Sequence, residues 1–258
     1  MSVITFDSAL RIAQEFAQNL YSEYKESLLA VYAIGSLGGG YYRPGQSDID
    51  TFIILGGIGR SRIKTVEEEI NRLGDEYQRR YGVPKGFGAV VVTEQQLYAP
   101  YMPEEELALE IVRLKVQSRL VYGAYDLGRI PMPDRQALID DANAFEDWRD
   151  SADCTDSASM TRQMCVNSIL ILLKRYLMID RNIVELNKFK VIGAYMSAHP
   201  PYVNEEAFTL VQKYLTERES AISSSQLRTM IVYHEQLRRN MNSVLLGRES
   251  KSTSFPFC

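Results

Sequence analysis

The sequence predicts an α+β protein, with a small mixed sheet and helices in the N-terminal half followed by an all-helical C-terminal domain. Two observations predict this class. Short apolar runs typical of strands alternate with helical periodicity in the first half, and from Glu104 onward the pattern is almost wholly helical. A turn-rich segment from Gly123 to Pro133 separates the two parts. We therefore predict two domains, at residues 1–125 and 126–258.

The first predicted elements are a helix and two strands. Residues 8–26 carry apolar side chains at three- and four-residue intervals, which is typical of an amphipathic helix. Residues 28–34 are apolar and partly β-branched, and they predict a strand that ends at Gly35. Residues 48–55 alternate and then become continuously apolar, which indicates a buried strand.

A charged helix and a third strand complete the predicted first domain. Residues 62–81 present one apolar face, and Gly82 ends this helix. Residues 87–93 predict the third strand, so we expect a small mixed sheet covered by helices on one face. The C-terminal helices are predicted over residues 104–121, 134–150, 158–180, 188–198, 204–218 and 223–245.

Composition and charge narrow the class of protein. The formal net charge of -4 and the pI near 5.4 leave no overall basic surface, so we expect no long nucleic acid as a partner. The three cysteines form no CxxC pair, so we expect neither a disulfide framework nor a zinc site. The N-terminus has no cationic region, and no apolar run is long enough to span a membrane. We therefore expect a soluble, cytoplasmic protein.

The sequence Asp48-Ile49-Asp50 places two carboxylates at the start of a strand. Side chains two residues apart on a strand share a face, so Asp48 and Asp50 project together while Ile49 points into the core. Adjacent carboxylates repel each other unless a cation lies between them. Mg²⁺ is commonly held by one or two carboxylates together with substrate phosphate oxygens. Two acids at a strand end also occur in ordinary solvated turns, so the interpretation depends on the residues before them.

The segment before the acids is suited to phosphate. Gly35 and Ser36 directly follow an apolar strand, and they offer an open turn with backbone N–H groups and a hydroxyl donor. Glycines at 38–40 follow without a Gly-Lys-Ser or Gly-Lys-Thr sequence, so this is not a Walker motif. Tyr41 and Tyr42 come next, and they either stack on a base or pack the loop.

The segment AIGSLGGGYYRPGQSDIDTFIIL resembles the signature of the nucleotidyltransferases of the DNA polymerase beta superfamily. Within that superfamily it is similar to the bacterial aminoglycoside (streptomycin/spectinomycin) adenylyltransferase-like branch. The signature reads apolar-Gly-Ser, a variable loop, then Asp-apolar-Asp. The resemblance implies that Gly35 and Ser36 contact the phosphates of a nucleotide donor, ATP, and that Asp48 and Asp50 hold Mg²⁺.

The resemblance extends into the C-terminal half. Residues 167–200 are similar to the helical domain of the streptomycin/spectinomycin adenylyltransferases, where a helix ending in Arg is followed by a loop and by a Lys that opens the next helix. Carried over by position, the Arg is Arg175 and the nucleotide-contacting Lys is Lys188. A solvated lysine at a helix start is the alternative for Lys188.

Two departures from the family pattern bear on catalysis and on the substrate. Active members place a third carboxylate, a general base or further metal ligand, on the strand that corresponds to residues 87–92, and no acid stands there. The nearest is Glu94, which is our third candidate catalytic residue beside Asp48 and Asp50. The alternative interpretation of Glu94 is an ordinary exposed glutamate at the end of a strand. The drug-contacting acid of the family falls near Cys165.

These features predict a metal-dependent adenylyltransferase that transfers AMP from ATP to a hydroxyl of an aminoglycoside-like small molecule and releases pyrophosphate. The acidic residues from Glu104 to Glu110 would attract an amine-bearing acceptor, or else form a solvated face. Two alternatives stay open. One is a nucleotide-binding protein of the same fold with reduced or lost catalysis, and the other is a nucleotidyltransferase that modifies a protein.

Overall fold

The computed structural model describes most of the chain and divides it into two units. The described residues are 3–83, 86–98, 107–142, 161–217 and 222–245. The first unit comprises Met1–Asp134 and the second Arg135–Cys258. The division lies later than residue 125, where the sequence analysis places it.

Residues beyond position 125 pack with the rest of the first unit through hydrogen bonds from one lysine and through apolar side chains. Lys115 Nζ donates hydrogen bonds to the backbone carbonyls of Leu127 and Ile130. Ile130 is buried in a cluster that also contains Ile34 and Phe52. These contacts explain why the first unit continues to Asp134.

A four-stranded mixed sheet lies in the first unit, as predicted. Its strands are β1 (Leu28–Ile34), β2 (Ile49–Leu55), β3 (Phe87–Thr93) and β4 (Arg119–Gly123). They lie in the order β3-β2-β1-β4. β1 is antiparallel to both β2 and β4, and β2 is parallel to β3. Because β2 begins at Ile49, Asp48 lies directly before the strand.

Strand β4 corrects the predicted helix over residues 104–121. The described part of that helix ends at Val116, and β4 pairs with β1 from Arg119 onward. A five-residue edge strand is too short for its alternation to be told from the last turn of an amphipathic helix. The pairing with β1, which lies far away in sequence, decides the outcome.

Helices cover both faces of the sheet, which corrects the expectation of helices on one face. The first-unit helices are α1 (Phe6–Tyr24), α2 (Gly35–Gly38), α3 (Arg60–Tyr81), α4 (Glu94–Tyr98) and α5 (Leu107–Val116). α1 and α3 pack on one face, where Phe16 and Ile70 share a cluster with Ile53. α5 packs on the other face, where Ile111 shares a cluster with Phe52. This double burial is why β2 is continuously apolar beyond its first residues.

The two long helices of the first unit have sequence-encoded ends. Thr5 caps α1, because its side-chain oxygen accepts a hydrogen bond from the backbone N–H of Ser8. Gly82 ends α3 with a positive φ of 65°, a conformation that glycine adopts without steric cost. The spacing of the apolar residues and the residues at the helix ends therefore made both helices predictable.

The described part of the second unit is entirely helical, as predicted. Its helices are α6 (described over residues 135–142), α7 (Arg162–Arg181), α8 (Val191–Ser197), α9 (Glu205–Glu217) and α10 (Ser224–Leu245). Apolar side chains such as Leu173, Tyr195 and Met230 form their shared core. The rest of the helix predicted over 134–150 lies outside the described residues. Among the described residues, no helix has the length and apolarity needed to cross a membrane.

Candidate active site

Asp48 and Asp50 lie at the N-terminal end of β2, on the sheet face that α5 covers. Alternation along the strand puts Asp50 on the same face as Phe52. The pKa of Asp50 is raised to about 7, chiefly by burial and then by the negative charge of Asp48, while Arg113 opposes the increase. The structure therefore brings the two predicted acids together, in surroundings where ionisation of both carboxylates is energetically unfavourable.

Arg113 and Glu110, both on α5, extend this acidic pair into a four-residue cluster. Arg113 Nη2 donates a hydrogen bond to Asp50 Oδ2 at 3.2 Å. Arg113 Nη1 donates to both carboxylate oxygens of Glu110, at 2.7 and 2.8 Å. Burial acts to lower the pKa of Arg113, but Glu110 and Asp50 outweigh it and the pKa is raised. The guanidinium is therefore a permanent positive charge beside Asp50.

The sequence analysis missed Arg113 and gave Glu110 only a general electrostatic role. The three-residue spacing of Glu110 and Arg113 on a helix is a detectable signal for an ion pair between them. Nothing in that spacing indicates contact with Asp50, which lies 63 residues away. The remaining acids of the proposed negative patch, Glu104 to Glu106, lie outside the described residues.

Gly35 packs directly against Asp50 and could not carry a side chain there. Its φ of 61° is in the left-handed region, and a Cβ at this position would stand 2.6 Å from Asp50 Oδ2. The register explains the proximity, because Ile34 at the end of β1 pairs with Asp50. The glycine of the Gly-Ser turn thus allows the backbone to approach the carboxylate closely.

Ser36 carries a buried hydroxyl group without a hydrogen-bond partner among the described residues. The residue is 6% exposed, and its Oγ is unpaired. Its backbone carbonyl accepts a hydrogen bond from the N–H of Tyr41. A buried hydroxyl normally forms a hydrogen bond. This one is therefore available to a ligand oxygen beside Gly35 and the acids.

The loop between the turn and the acids is held by packing. A Cβ at Gly38 would stand 2.4 Å from the backbone oxygens of Ala33 and Gln117, so this glycine is required sterically. Tyr42 is buried in the core cluster rather than presented for stacking. Burial raises the pKa of Tyr42, and Asp48 raises it further, which places its hydroxyl near that acid.

The third strand offers no carboxylate to the cluster. Gly88 is the residue of β3 that pairs with Asp50, and a Cβ there would stand 3.2 Å from Asp50 Oδ1. Glu94 is six residues further along the parallel strand, which corresponds to about 20 Å at the usual rise per residue. Its carboxylate accepts a hydrogen bond from the hydroxyl of Tyr125 at 3.1 Å. The structure therefore separates Glu94 from Asp48 and Asp50.

The candidates in the second unit have the following positions. Lys188 lies in the turn before α8, with its Nζ 5.6 Å from the ring centroid of Phe189. Arg175 is buried inside α7 and faces Asp141, with 3.4 Å between the charged groups. Cys165 is fully buried in the helical core.

The donor set at β2 fits a cation that also contacts a substrate. Among the described residues, no group of three or more His, Cys, Asp or Glu side chains is arranged to hold a metal ion. Asp48 and Asp50 supply two carboxylates, and Mg²⁺ commonly takes one or two together with phosphate oxygens and water. The raised pKa of Asp50 reflects burial and the nearby charge of Asp48, which Arg113 offsets only in part.

The fold is similar to that of a solved adenyltransferase. Spectinomycin adenyltransferase AAD(9) from Enterococcus faecialis, crystallised with ATP and spectinomycin, matches with a TM-score of 0.57 and 17% sequence identity. The match covers 87% of this chain and 97% of that chain. This chain therefore has the fold of the aminoglycoside adenylyltransferase-like nucleotidyltransferases, which confirms the fold implied by the Gly-Ser and Asp-Ile-Asp motif.

More distant matches add nothing to this conclusion. Two toxin-antitoxin structures, one of them with AMP-PNP, match at TM-scores of 0.28 and 0.29 and at 11% and 10% identity. Each covers 61% of this chain and 98% of the other chain. No protein-family model matches the sequence. No curated protein matches it significantly either.

Proposed function

We propose that this protein is a metal-dependent nucleotidyltransferase that transfers AMP from ATP to a hydroxyl group of a small molecule and releases pyrophosphate. The observation that carries the proposal is the unpaired, buried hydroxyl of Ser36, the residue that follows Gly35, whose backbone lies directly against the carboxylate of Asp50. A buried donor that lacks a protein partner is best explained by a ligand acceptor. A phosphate oxygen beside two carboxylates in turn calls for a cation.

In this proposal Asp48 and Asp50 hold Mg²⁺, and Gly35 and Ser36 seat the phosphates. The ion would neutralise the negative charge that develops at the α-phosphate during the transfer of AMP. The hydroxyl of Ser36 donates a hydrogen bond to a phosphate oxygen. Gly35 keeps the backbone close to Asp50. Lys188 is proposed as a further phosphate contact, by resemblance alone.

The proposed transfer is an in-line displacement at the α-phosphorus of ATP. The acceptor oxygen forms a bond to phosphorus as the bond to the bridging oxygen of pyrophosphate breaks. The hydroxyl proton leaves to a carboxylate of the cluster or to water. β3 carries no acid, and Glu94 follows the far end of that strand. Among the described residues of the cluster, the candidates for the base are therefore Asp48, Asp50 and Glu110, with solvent as the alternative.

The acceptor is proposed from the family resemblance to be an aminoglycoside-like molecule. The matching adenyltransferase was solved with ATP and spectinomycin, which supports a hydroxyl-bearing small molecule as a first choice. By resemblance, the drug-contacting acid of the family falls near Cys165, which is buried and uncharged. On this alignment a strongly cationic drug would lose a favourable contact. The panel of acceptors therefore has to include neutral aminocyclitols and polyols. The cytoplasmic location of the protein stays a prediction.

The proposal is tested by incubating the full-length protein with radiolabelled ATP, Mg²⁺ and this panel. Expected results are transfer of label to at least one acceptor, stoichiometric release of pyrophosphate, and loss of both in Asp48→Ala. Asp75→Asn on the exposed surface of α3 is the control for removal of an acid. Transfer that persists undiminished in Asp48→Ala would refute the assigned site.

A nucleotide-binding protein without turnover is the second candidate. Two observations favour it: Gly88 stands opposite Asp50 where an acid is absent, and Arg113 pairs with Asp50. ATP with Mg²⁺ would then raise the melting temperature, because a ligand that binds the native state stabilises it. Such stabilisation, together with no label transfer to any acceptor and no pyrophosphate release, would favour binding over catalysis.

A further inference from the structure

Arg113 already places a positive charge on the carboxylate that the proposed function assigns to the metal. Its Nη2 lies 3.2 Å from Asp50 Oδ2. The other terminal nitrogen is held by Glu110 through two hydrogen bonds, at 2.7 and 2.8 Å. An arginine cannot lose its proton under ordinary conditions, and a two-point carboxylate contact fixes the plane of the guanidinium. The charge is therefore permanent and its position is set by α5.

The position of the positive charge disfavours a metal ion on its own, because the guanidinium pairs with Asp50, one of the two carboxylates assigned to the metal. Asp48 and Glu110 add negative charge around the same guanidinium, so the cluster attracts a cation once that pairing is given up. A divalent cation that enters alone approaches the guanidinium, and its repulsion is weakly screened because the Arg113 side chain is only 25% exposed. A nucleotide triphosphate brings several negative charges and oxygen ligands that compensate for this repulsion.

We infer that Arg113, anchored by Glu110, is a positioning residue that makes metal binding at Asp48 and Asp50 depend on the nucleotide. This inference rests on the proposed function. Without nucleotide, the guanidinium balances Asp50 and keeps the site free of metal. When nucleotide and metal arrive together, Asp50 exchanges Arg113 for the ion, and Glu110 retains the guanidinium next to the phosphates.

The sharpest test is a gain of metal binding when the positive charge is removed. Mn²⁺ is titrated into the full-length protein without nucleotide, and free Mn²⁺ is measured by electron paramagnetic resonance. In Arg113→Met the affinity is expected to increase by on the order of tenfold or more, because three carboxylates then share the cation. Loss of packing alone would weaken or leave unchanged the binding of Mn²⁺, so a gain distinguishes the electrostatic role from a structural one.

Two further variants isolate the charge from the shape of the side chain. Arg113→Gln keeps an amide donor toward Asp50 and Glu110 without the positive charge, and we expect the same gain even if Arg113→Met folds poorly. Arg113→Lys keeps the charge, and we expect weak binding as in the wild type. Arg129→Met is the matched control, because Arg129 is exposed and pairs only with the nearby Asp126 in the contacts described here.

The outcomes separate this inference from the proposed function. The inference would be overturned if the wild-type protein bound Mn²⁺ alone as tightly as Arg113→Gln does. The proposed function would remain intact in that case, provided that the wild-type protein binds Mg²⁺ together with an ATP analogue. Wild-type protein that binds no Mg²⁺-nucleotide at all, by calorimetry, would instead refute the proposed function. A gain in Arg113→Gln but not in Arg113→Lys or Arg129→Met supports the inference.

Discussion

Replacing Asp50 by Asn removes the most strongly perturbed carboxylate of the site while preserving its shape. The pKa of Asp50 is raised to about 7 in the folded protein, first by burial and then by the charge of Asp48. An unfolded chain ionises an aspartate near pH 4. Between these two values the folded state holds a proton that the unfolded state has lost, so wild-type stability falls as pH rises.

The size of this effect follows from proton linkage. With one more proton on the native state, the free energy of unfolding decreases by about 1.4 kcal/mol per pH unit, or roughly 4 kcal/mol between pH 4 and pH 7. The contribution is fully present below pH 4 and is lost as pH passes through the folded pKa. Asp50→Asn has no such titration, so its stability relative to the wild type should increase over this window by an amount of that order.

The measurement is the urea dependence of hydrogen exchange in peptides from β1 and β2, with a chelator present, at pH 4, 5.5 and 7. These peptides report on the first unit, which contains Asp50. Asp75→Asn, on the exposed face of α3, controls for the loss of a carboxylate. If wild type and Asp50→Asn keep a constant difference across the three pH values, then Asp50 does not titrate in this window and the electrostatic account of the site is wrong.

Two further predictions concern the turn that precedes the acids. Ser36→Ala should leave the melting temperature unchanged or slightly higher, since its hydroxyl forms no bond within the described protein. Calorimetry should show about tenfold weaker binding of Mg²⁺-ATP to this variant. By contrast, Ser47→Ala should lower the melting temperature, because Ser47 Oγ accepts a hydrogen bond from the partly buried backbone N–H of Arg43 at 3.0 Å. Weaker nucleotide binding in Ser47→Ala but not in Ser36→Ala would contradict the phosphate role. Gly38→Ala should destabilise the first unit by several kcal/mol, because its Cβ would stand 2.4 Å from two backbone oxygens, whereas Gly59→Ala, which meets nothing within 4 Å, should melt within a few degrees of the wild type.

The residues around β2 show how far sequence reasoning extended into the site. Alternation along a strand is local, so it was sufficient to place Asp48 and Asp50 on one face and the Gly-Ser turn before them. The fold class and the Gly-Ser signature were likewise readable from apolar runs and glycines. Burial then gives Asp50 a raised pKa, and that value depends on atoms that α5 and β1 bring to the strand.

Glu94 shows why adjacency to a predicted strand did not fix the distance of a residue from the acidic pair. It follows β3 directly in sequence, and β3 is the neighbour of β2. Because the two strands are parallel and Asp50 pairs with Gly88, the end of β3 lies far from the start of β2. The connection through α3 makes β2 and β3 parallel. This relation between the strands cannot be found by analysing each segment of the sequence separately.

What the sequence by itself determined is the local chemistry: the strands, the long helices, the paired acids and the glycine beside them, because each depends on periodicity or on the conformational freedom of one residue. Only the tertiary structure decided which side chains meet. It paired β4 with β1, covered both faces of the sheet, and set Arg113 against Asp50. These contacts join residues tens of positions apart, and they exist because packing two helical layers on a twisted sheet buries more apolar surface than any local arrangement.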